Sequence, residues 1–423
     1  MNKTDFMVEQ AAFAQTIFDD VRALSQDELG VSRQGYGPVE SEVIQYLCAL
    51  VKTWGLDIQT DLAGNVWLTK PGQRRDLPAV VSGSHADSVP QGGNYDGLAG
   101  IVAALTVMHW LCTHHVQLER DYRVLVMRCE ESSYFGKAYV GSLAMMGALS
   151  ADDLALKHRD GTMTLAQAMQ SCGVDTNRIR SGQPVIDTHQ IKCFFELHIE
   201  QGPMLEQRAD CRVGIVTGIR GNIRHKSVRC WGETAHSGAV DKAYRHDALM
   251  ATVELIHRMN EHWDAFLAQG KDLVFTVGIM KTAKTAAIAV IPGETDFSID
   301  IRSVSAEVLE EFHELLLTEA RHIEEKLGVR FEWDARIDTA PAHLDESLQQ
   351  TLSNVAHESG IACTAMPSGA GHDAAVFSRF GIPSAMIFVA NQNGSHNHKE
   401  AMQIDDFLQG CEILRNAVLK ECN

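Results

Sequence analysis

Residues 77–114 read LPAVVSGSHADSVPQGGNYDGLAGIVAALTVMHWLCTH: an apolar run, a loop rich in glycine and aspartate, and a longer apolar run. The first run, 77–85, has the length of a buried strand, and the second, 98–114, is long enough for a helix. The loop between them carries His85, Asp87 and Asp96. Glycine and aspartate are also what ordinary turns use, because they accept turn dihedrals and bond their own backbone. The stretch alone therefore leaves two readings, a bland surface loop or a loop that presents ligands.

The strand-then-helix grammar recurs outward from this point. YRVLVMRCEESS (122–133), CFFELHIEQG (193–202) and IPSAMIFVANQNGSH (382–396) read as further strands, and EVIQYLCALVKTWG (42–55) carries helical periodicity. Such alternation predicts an α/β fold with a mostly parallel sheet covered on both faces. Residues 213–333 differ. IRHKSVRCWG (223–232) alternates like a half-exposed strand, and 246–270 reads as a long helix. DLVFTVGIM (272–280) and ETDFSIDIRS (294–303) read as strands, 306–328 as a helix and VRFEWDARI (329–337) as a closing strand. The order β-α-β-β-α-β predicts an inserted ferredoxin-like module. The expected division is 1–212 and 334–423 for one domain, with 213–333 inserted.

Composition narrows the function. The 423 residues are 45% hydrophobic and 22% charged, ordinary for a globular enzyme, and long enough for two domains. A formal charge of −18 with no basic run argues against nucleic acid and anionic membranes as partners. No apolar run approaches the roughly 18 residues of a membrane span. The amphipathic, acidic start lacks the layout of a signal peptide, and the ten scattered cysteines form no CxxC pair. A cytoplasmic protein with reduced thiols is expected. Cys129, beside Glu130, reads as a buried strand cysteine rather than a nucleophile.

Each of the four strands ends in groups able to bind metal. They are His85 with Asp96 eleven residues on, then Glu130-Glu131, then His198 with Glu200 and Gln201, and finally His396. In an open parallel sheet the carboxyl ends of the strands face one crevice, so distant residues converge there. This many imidazoles and carboxylates oversupplies one four-coordinate ion. It fits two ions about 3.5–4 Å apart that share a carboxylate. Such nitrogen and oxygen donors suit Zn²⁺, Mn²⁺, Co²⁺ or Ni²⁺.

At these residues the chain resembles the hydantoinase/carbamoylase branch of the di-metal aminoacylase and aminopeptidase superfamily. That branch includes N-carbamoyl-L-amino-acid hydrolases, β-ureidopropionases and allantoate amidohydrolases. The resemblance lies in GSHADSVPQGGNYDGLAG (83–100), EESSYF (130–135), ELHIEQGPMLE (196–206), GETAHSG (232–238), IDIRS (299–303), SGAGHDA (368–374) and SHNHKE (395–400), in the family's order. It implies an aminopeptidase-like catalytic domain holding two divalent metal ions, Zn²⁺ foremost, and an inserted lid that mediates a homodimer.

By position it implies that Asp96 bridges, His85 and His198 complete one site, and Glu131 and His396 complete the other. Glu130 becomes the general base, and neighbouring side chains at a strand end point in different directions, which permits the split from Glu131. Asp87 accepts the free N–H of His85 and fixes its tautomer. His198 marks the carbamoylase branch, since many peptidase relatives carry a carboxylate there. His236 resembles the histidine that reaches into the partner subunit and stabilises an oxyanion. Arg302 resembles the arginine that pairs with a substrate carboxylate. Gln201, Asn222 and His372 are weaker substrate-side candidates. Gln201 reads equally as a residue that orients His198, and His372-Asp373 equally as a helix start. Singly, each of these groups reads as an ordinary loop or surface residue; jointly and in order they do not.

The implied reaction is hydrolysis of the carbamoyl C–N bond of an N-carbamoyl or related ureido acid to amino acid, CO₂ and ammonia. The rivals are an aminoacylase or dipeptidase on the same machinery, and a metal-binding protein without turnover. Two departures bear on the substrate. Ala289 stands where relatives carry a substrate-binding asparagine. Ile223 stands where allantoate enzymes carry an arginine, with Arg224 one residue off and expected to face the opposite side.

Overall fold

A computed structural model describes residues 3–423, which divide into two compact units, 3–217 with 344–423 and, separately, 218–343. The first is built around a mixed sheet. Its strands run in the order Asp57–Thr60, Val66–Lys70, Tyr122–Met127, Ala79–His85, Ile191–Ile199, Ser384–Val389 and Val213–Ile219. The central four, Tyr122–Met127 through Ser384–Val389, are mutually parallel. All seven residues of Ala79–His85 and all six of Ser384–Val389 are buried, as strands covered on both faces must be. Register places His85 beside Met127, and Ile199 beside Val389. The carboxyl ends of the four strands are therefore level.

The helix Leu98–Thr113 runs back against this sheet and is apolar all round, which a buried central helix requires. It is surrounded by Lys3–Ser25, Ile404–Cys422 and the strands themselves in one large hydrophobic core. Leu105 is fully buried there; truncation to alanine would cost about 2–5 kcal/mol. Among the described residues no helix is long and apolar enough to cross a membrane, and all ten cysteines are free.

The second unit carries an antiparallel sheet in the order Met280–Thr282, Glu294–Ser303, Gly221–Trp231, Arg330–Trp333. Val274–Thr276 also pairs with Glu294–Ser303, and Ile337–Thr339 with Gly221–Trp231. With its two helices this is a ferredoxin-like order. The helices Ala248–Ala268 and Ala306–Leu327 pack with that sheet around Phe297, Phe312 and Ile323. Ala306–Leu327 buries Val308, Leu309, Phe312, Leu316, Ala320 and Ile323, a three-and-four spacing along one stripe. Ser305 caps its start by accepting the Val308 N–H, and Gly328 ends it in a left-handed turn.

The structure redraws several boundaries. The units divide at 217/218 and 343/344 rather than at 212/213 and 333/334. Val213–Ile219 still pairs with Ser384–Val389 in the first sheet, and Ile337–Thr339 still pairs within the second. The strand expected at 272–280 is two short strands, Val274–Thr276 and Met280–Thr282. Their registers on the facing strand differ by one residue, Thr276 lying beside Asp300 and Met280 beside Phe297, and between them Ser298 Oγ accepts the Ile279 N–H at 3.0 Å.

Candidate metal centre

The strand Tyr122–Met127 ends sooner than its apolar run suggests, and the reason builds the site. The next backbone N–H groups go to buried side chains instead of a neighbouring strand. Arg128 N–H is taken by Asn65 Oδ1 at 3.1 Å and Cys129 N–H by Glu40 Oε1 at 3.0 Å. Asp87 then takes both Glu130 N–H, at 2.9 Å, and Glu131 N–H, at 3.0 Å. Cys129 is buried as expected, but it sits after the strand, in a left-handed turn with φ of 52°. That turn and the Asp87 clamp aim the adjacent glutamates differently. Glu130 Oε2 lies 3.9 Å from His85 Nε2, while Glu131 Oε1 lies 3.1 Å from His396 Nε2.

Among the described residues ligand-type atoms gather in three groups; one is Glu196, His198 and His372, and the other two share Asp96. His85, Asp96 and His198 form one, and Asp96, Glu131 and His396 the other, with all donor atoms of each group within 4.8 Å of one another. Asp96 divides its oxygens between them. Oδ1 is 3.2 Å from His198 Nε2 and 3.6 Å from His85 Nε2, while Oδ2 is 3.2 Å from His396 Nε2. Gly97 makes the close approach possible. Its φ is +67°, and a Cβ there would overlap the His85 ring.

The tautomers decide what the arrangement can hold. His198 Nδ1 lies 2.9 Å from the Ile199 carbonyl, so it donates its proton there, and Nε2 carries a lone pair. The Gly97 N–H pointing at Nε2 from 3.2 Å agrees. On His85, Nδ1 faces the Asp87 carbonyl at 3.2 Å and carboxylate at 3.3 Å, which again leaves the lone pair on Nε2. Neutral imidazoles would thus turn lone pairs toward a carboxylate about 3 Å away. A proton or a cation must lie between them. The nitrogen and carboxylate donors fit Zn²⁺, Mn²⁺, Co²⁺ or Ni²⁺.

The electrostatics express the same demand. Burial opposes ionisation of Asp96, yet its bonds to His198, His396 and His85 hold the carboxyl well below the usual range. His396 is raised to about 11 by its bonds to Asp96 and Glu131. Glu130 goes the other way: burial, and after the opposing pull of His85 the nearby Glu131 charge, lift it well above an ordinary glutamate. A carboxyl lifted in this manner beside a ligand cluster is the environment of a general acid–base group.

Of the weaker candidates, Gln201 donates Nε2–H to Asp96 Oδ2 at 2.8 Å rather than orienting His198, and its Oε1 is buried without a partner among the described residues. His372 is buried with its ring 4.5 Å from that of His198 and its Nε2 2.8 Å from Ser368 Oγ. Burial drives it well below the usual histidine value, so it is neutral. It also precedes the helix Asp373–Arg379 as its N-cap, the helix start expected there.

Three candidates belong to the second unit. Asn222 and Arg302 are register partners on the two central strands. Arg302 donates Nε–H and Nη2–H to Asp300 Oδ2 at 3.1 and 2.8 Å, and Arg224 Nε lies 3.3 Å from the same oxygen. Ile223 is buried in the module core, and Arg224 faces away from it. His236 is exposed on a two-residue strand, its Nδ1 accepting the Gly238 N–H at 3.1 Å.

Three residues went unassigned in the sequence. Glu196 lies two positions before His198 on the same strand face and accepts Ser84 Oγ–H at 2.7 Å and Ala374 N–H at 2.8 Å. The i, i+2 spacing was its legible signal. Ser395 and Glu400, the two ends of SHNHKE (395–400), touch Asp96 from the far end of the chain, a contact the motif itself does not announce.

The chain is similar to known proteins over nearly its whole length. Residues 81–420 match the family model described as peptidase family M20/M25/M40. An allantoate amidohydrolase of Escherichia coli (strain K12) is 32% identical over 386 residues, 91% of each chain. An N-carbamoyl-L-amino acid amidohydrolase of Geobacillus stearothermophilus is 32% identical over 390 residues, 92% of this chain and 93% of the relative. A solved amidase of the hydantoinase/carbamoylase family from Burkholderia multivorans matches with a TM-score of 0.88 at 27% identity, over 97% of this chain and 98% of that one.

Proposed function

This chain belongs to peptidase family M20/M25/M40, as an amidohydrolase acting on C–N bonds other than peptide bonds, and on that premise we propose that it hydrolyses the carbamoyl C–N bond of an N-carbamoyl amino acid or a related ureido acid. The carrying observation is the pair of ligand groups joined at Asp96, with an imidazole, His198, completing the inner one. His85, Asp96 and His198 would hold one divalent ion, and Asp96, Glu131 and His396 a second. Zn²⁺ is favoured and Mn²⁺, Co²⁺ or Ni²⁺ are compatible. Such ions, when bound, supply Lewis acidity to the ureido carbonyl and ease deprotonation of water.

The chain's own residues do the rest. Glu130 takes a proton from the attacking water and delivers it to the leaving nitrogen, a role its lifted pKa favours. Asp87 keeps His85 in the right tautomer while clamping the Glu130 and Glu131 backbone. Arg302 pairs with the substrate carboxylate, with Asn222 beside it. His236 serves the active site of a second copy in a homodimer. The ten free cysteines suit a cytosolic enzyme.

Metal-loaded protein should release ammonia and free amino acid in equal amounts from carbamoyl amino acids. Ready turnover of N-acetyl amino acids or dipeptides, with no ammonia from any carbamoyl substrate, would replace this reading with an aminoacylase. Arg302→Ala should lower kcat/KM for carboxylate-bearing substrates by roughly one to two decades, the equivalent of a charge-assisted pair. For the dimer, a His236→Ala subunit mixed with a Glu130→Gln subunit should regain activity. Proven subunit exchange without recovery would confine His236 to its own subunit or remove it from catalysis.

A further inference from the structure

Asp96 has the most demanding task in the centre, since each of its oxygens faces a different ligand group. Yet it sits in QGGNYDG (91–97), whose three glycines leave the backbone conformationally permissive. Something must hold it. Glu400, buried at 2% exposure, reaches this loop from 304 positions away. Its Oε1 accepts the N–H groups of Tyr95, at 2.8 Å, and Asp96, at 3.2 Å. Its Oε2 lies 2.6 Å from Ser395 Oγ, and that hydroxyl lies 2.6 Å from Asp96 Oδ2. Glu400 thus grips the backbone of Asp96, and Ser395 stands between the two carboxylates with one hydroxyl proton that either oxygen can accept. The fit is keyed, because any Cβ on Gly93 would overlap the Glu400 carboxyl.

The contact is also one-sided. Ser395 meets Oδ2, the oxygen turned toward His396, and it immediately precedes His396, whose φ is +60°. Oδ1, turned toward His198 and His85, receives nothing from this pair. The loop carrying Ser395 and Glu400 is closed by a bridge between Gln392 and Ala401.

We infer that Ser395 and Glu400 are positioning residues that hold Asp96 as the bridge, and that they set the affinity of the Glu131–His396 site far more than that of the His85–His198 site. This rests on the two-ion reading above. Removing the relay should loosen one ion selectively, whereas a general role in packing the loop would weaken both or neither. Outer hydrogen-bond partners of ligating carboxylates typically control about 10–100-fold in metal affinity.

The test is a Co²⁺ titration of chelator-stripped full-length protein, followed by visible absorption and by elemental analysis after dialysis. Wild type should take two ions. Ser395→Ala and Glu400→Ala should take the first with unchanged affinity and the second about 10–100-fold more weakly. Glu400→Gln should stay close to wild type, because the amide oxygen still accepts the Tyr95 and Asp96 N–H groups and the NH₂ can donate to Ser395. Equal loss of both ions, no loss of either, or a Glu400→Gln defect as large as that of Glu400→Ala overturns the inference. If Glu400→Ala does not fold, Ser395→Ala, which removes one hydroxyl, carries the test. A wild type that takes fewer than two ions instead refutes the two-ion reading itself.

Discussion

Both units bury a pair of histidines, and the pairs are built on opposite principles. In the first, the His85 and His198 rings are 5.9 Å apart and turn Nε2 toward the same Asp96 oxygen. In the second, His225 and His313 stack at 5.3 Å, with Nε2 to Nε2 at 3.0 Å. There His225 Nδ1 meets Asp334 Oδ1 at 3.0 Å, and Asp334 also accepts the N–H groups of Lys226 and Ser227. A proton on each junction completes the second chain without help. The first needs one more positive charge, a proton or a cation, between its Nε2 lone pairs and Asp96, because its Nδ1 donors are spent on Ile199 and Asp87. Imidazole count is therefore a poor index of a metal site. The balance of donors and acceptors is the informative quantity.

The largest expected effect tests the first pair's surroundings. Glu130→Gln should retain both metals and lose about 10²–10⁴-fold in turnover, the usual scale for a removed general base. Glu131→Gln should lower occupancy of one metal. Elemental analysis showing the reverse pattern would exchange the two roles and undo the reading of the Asp87 clamp.

The next effect sets the two pairs against each other directly. His198→Gln should weaken binding of one ion by at least 10-fold, since a ligand is lost along with the geometry its partners maintain. His225→Gln should leave metal content unaltered. Chelation should lower the melting temperature of wild type and of His225→Gln alike, because ions that bind only the folded state stabilise it by mass action. A His225→Gln protein that loses ions would dissolve the distinction between the pairs.

How much of this was legible beforehand follows from where the information lies. The apolar runs ending in His85 and His198 announced buried parallel strands, because covering both faces leaves no room for polar alternation. The strand ends offered His85, Asp96, Glu131, His198 and His396 among other groups, the family resemblance singled these five out, and the structure gathers the other four around Asp96. What could not be read was the manner of turning. Cys129, Gln201 and His396 all take positive φ, which non-glycine residues adopt only when surrounding contacts enforce it. Around Cys129 and Gln201 those contacts come from Glu40, Asp87 and Asn391, remote in sequence. The same remoteness hid Ser395 and Glu400. The domain boundaries slipped for a related reason: Val213–Ile219 and Ile337–Thr339 are ordinary strands whose sheet membership depends on pairing, which composition does not encode.

The smallest expected effect concerns the second pair alone. His313 is 6% exposed, and its pKa is pushed down to about 4, first by burial and then by the charges of His225 and Arg336, against the opposing pull of Glu310 and Asp338. A histidine depressed in the folded state binds fewer protons there than in the unfolded chain, whose value is about 6.5. Its contribution to stability is therefore fully present above pH 6.5 or so and is lost as the pH falls toward 4. The loss should be on the order of 1–3 kcal/mol. Denaturant unfolding of ion-free protein between pH 4 and 7.5 measures it, compared with His313→Gln so that carboxylates titrating in both proteins cancel. The glutamine can still donate to His225 Nε2 but has no proton to gain, so the variant's stability should fall less steeply toward low pH than that of wild type. Parallel curves would mean that the second pair accepts a proton as readily folded as unfolded, and the closed chain from Asp334 to His313 would lose its claim to be self-sufficient.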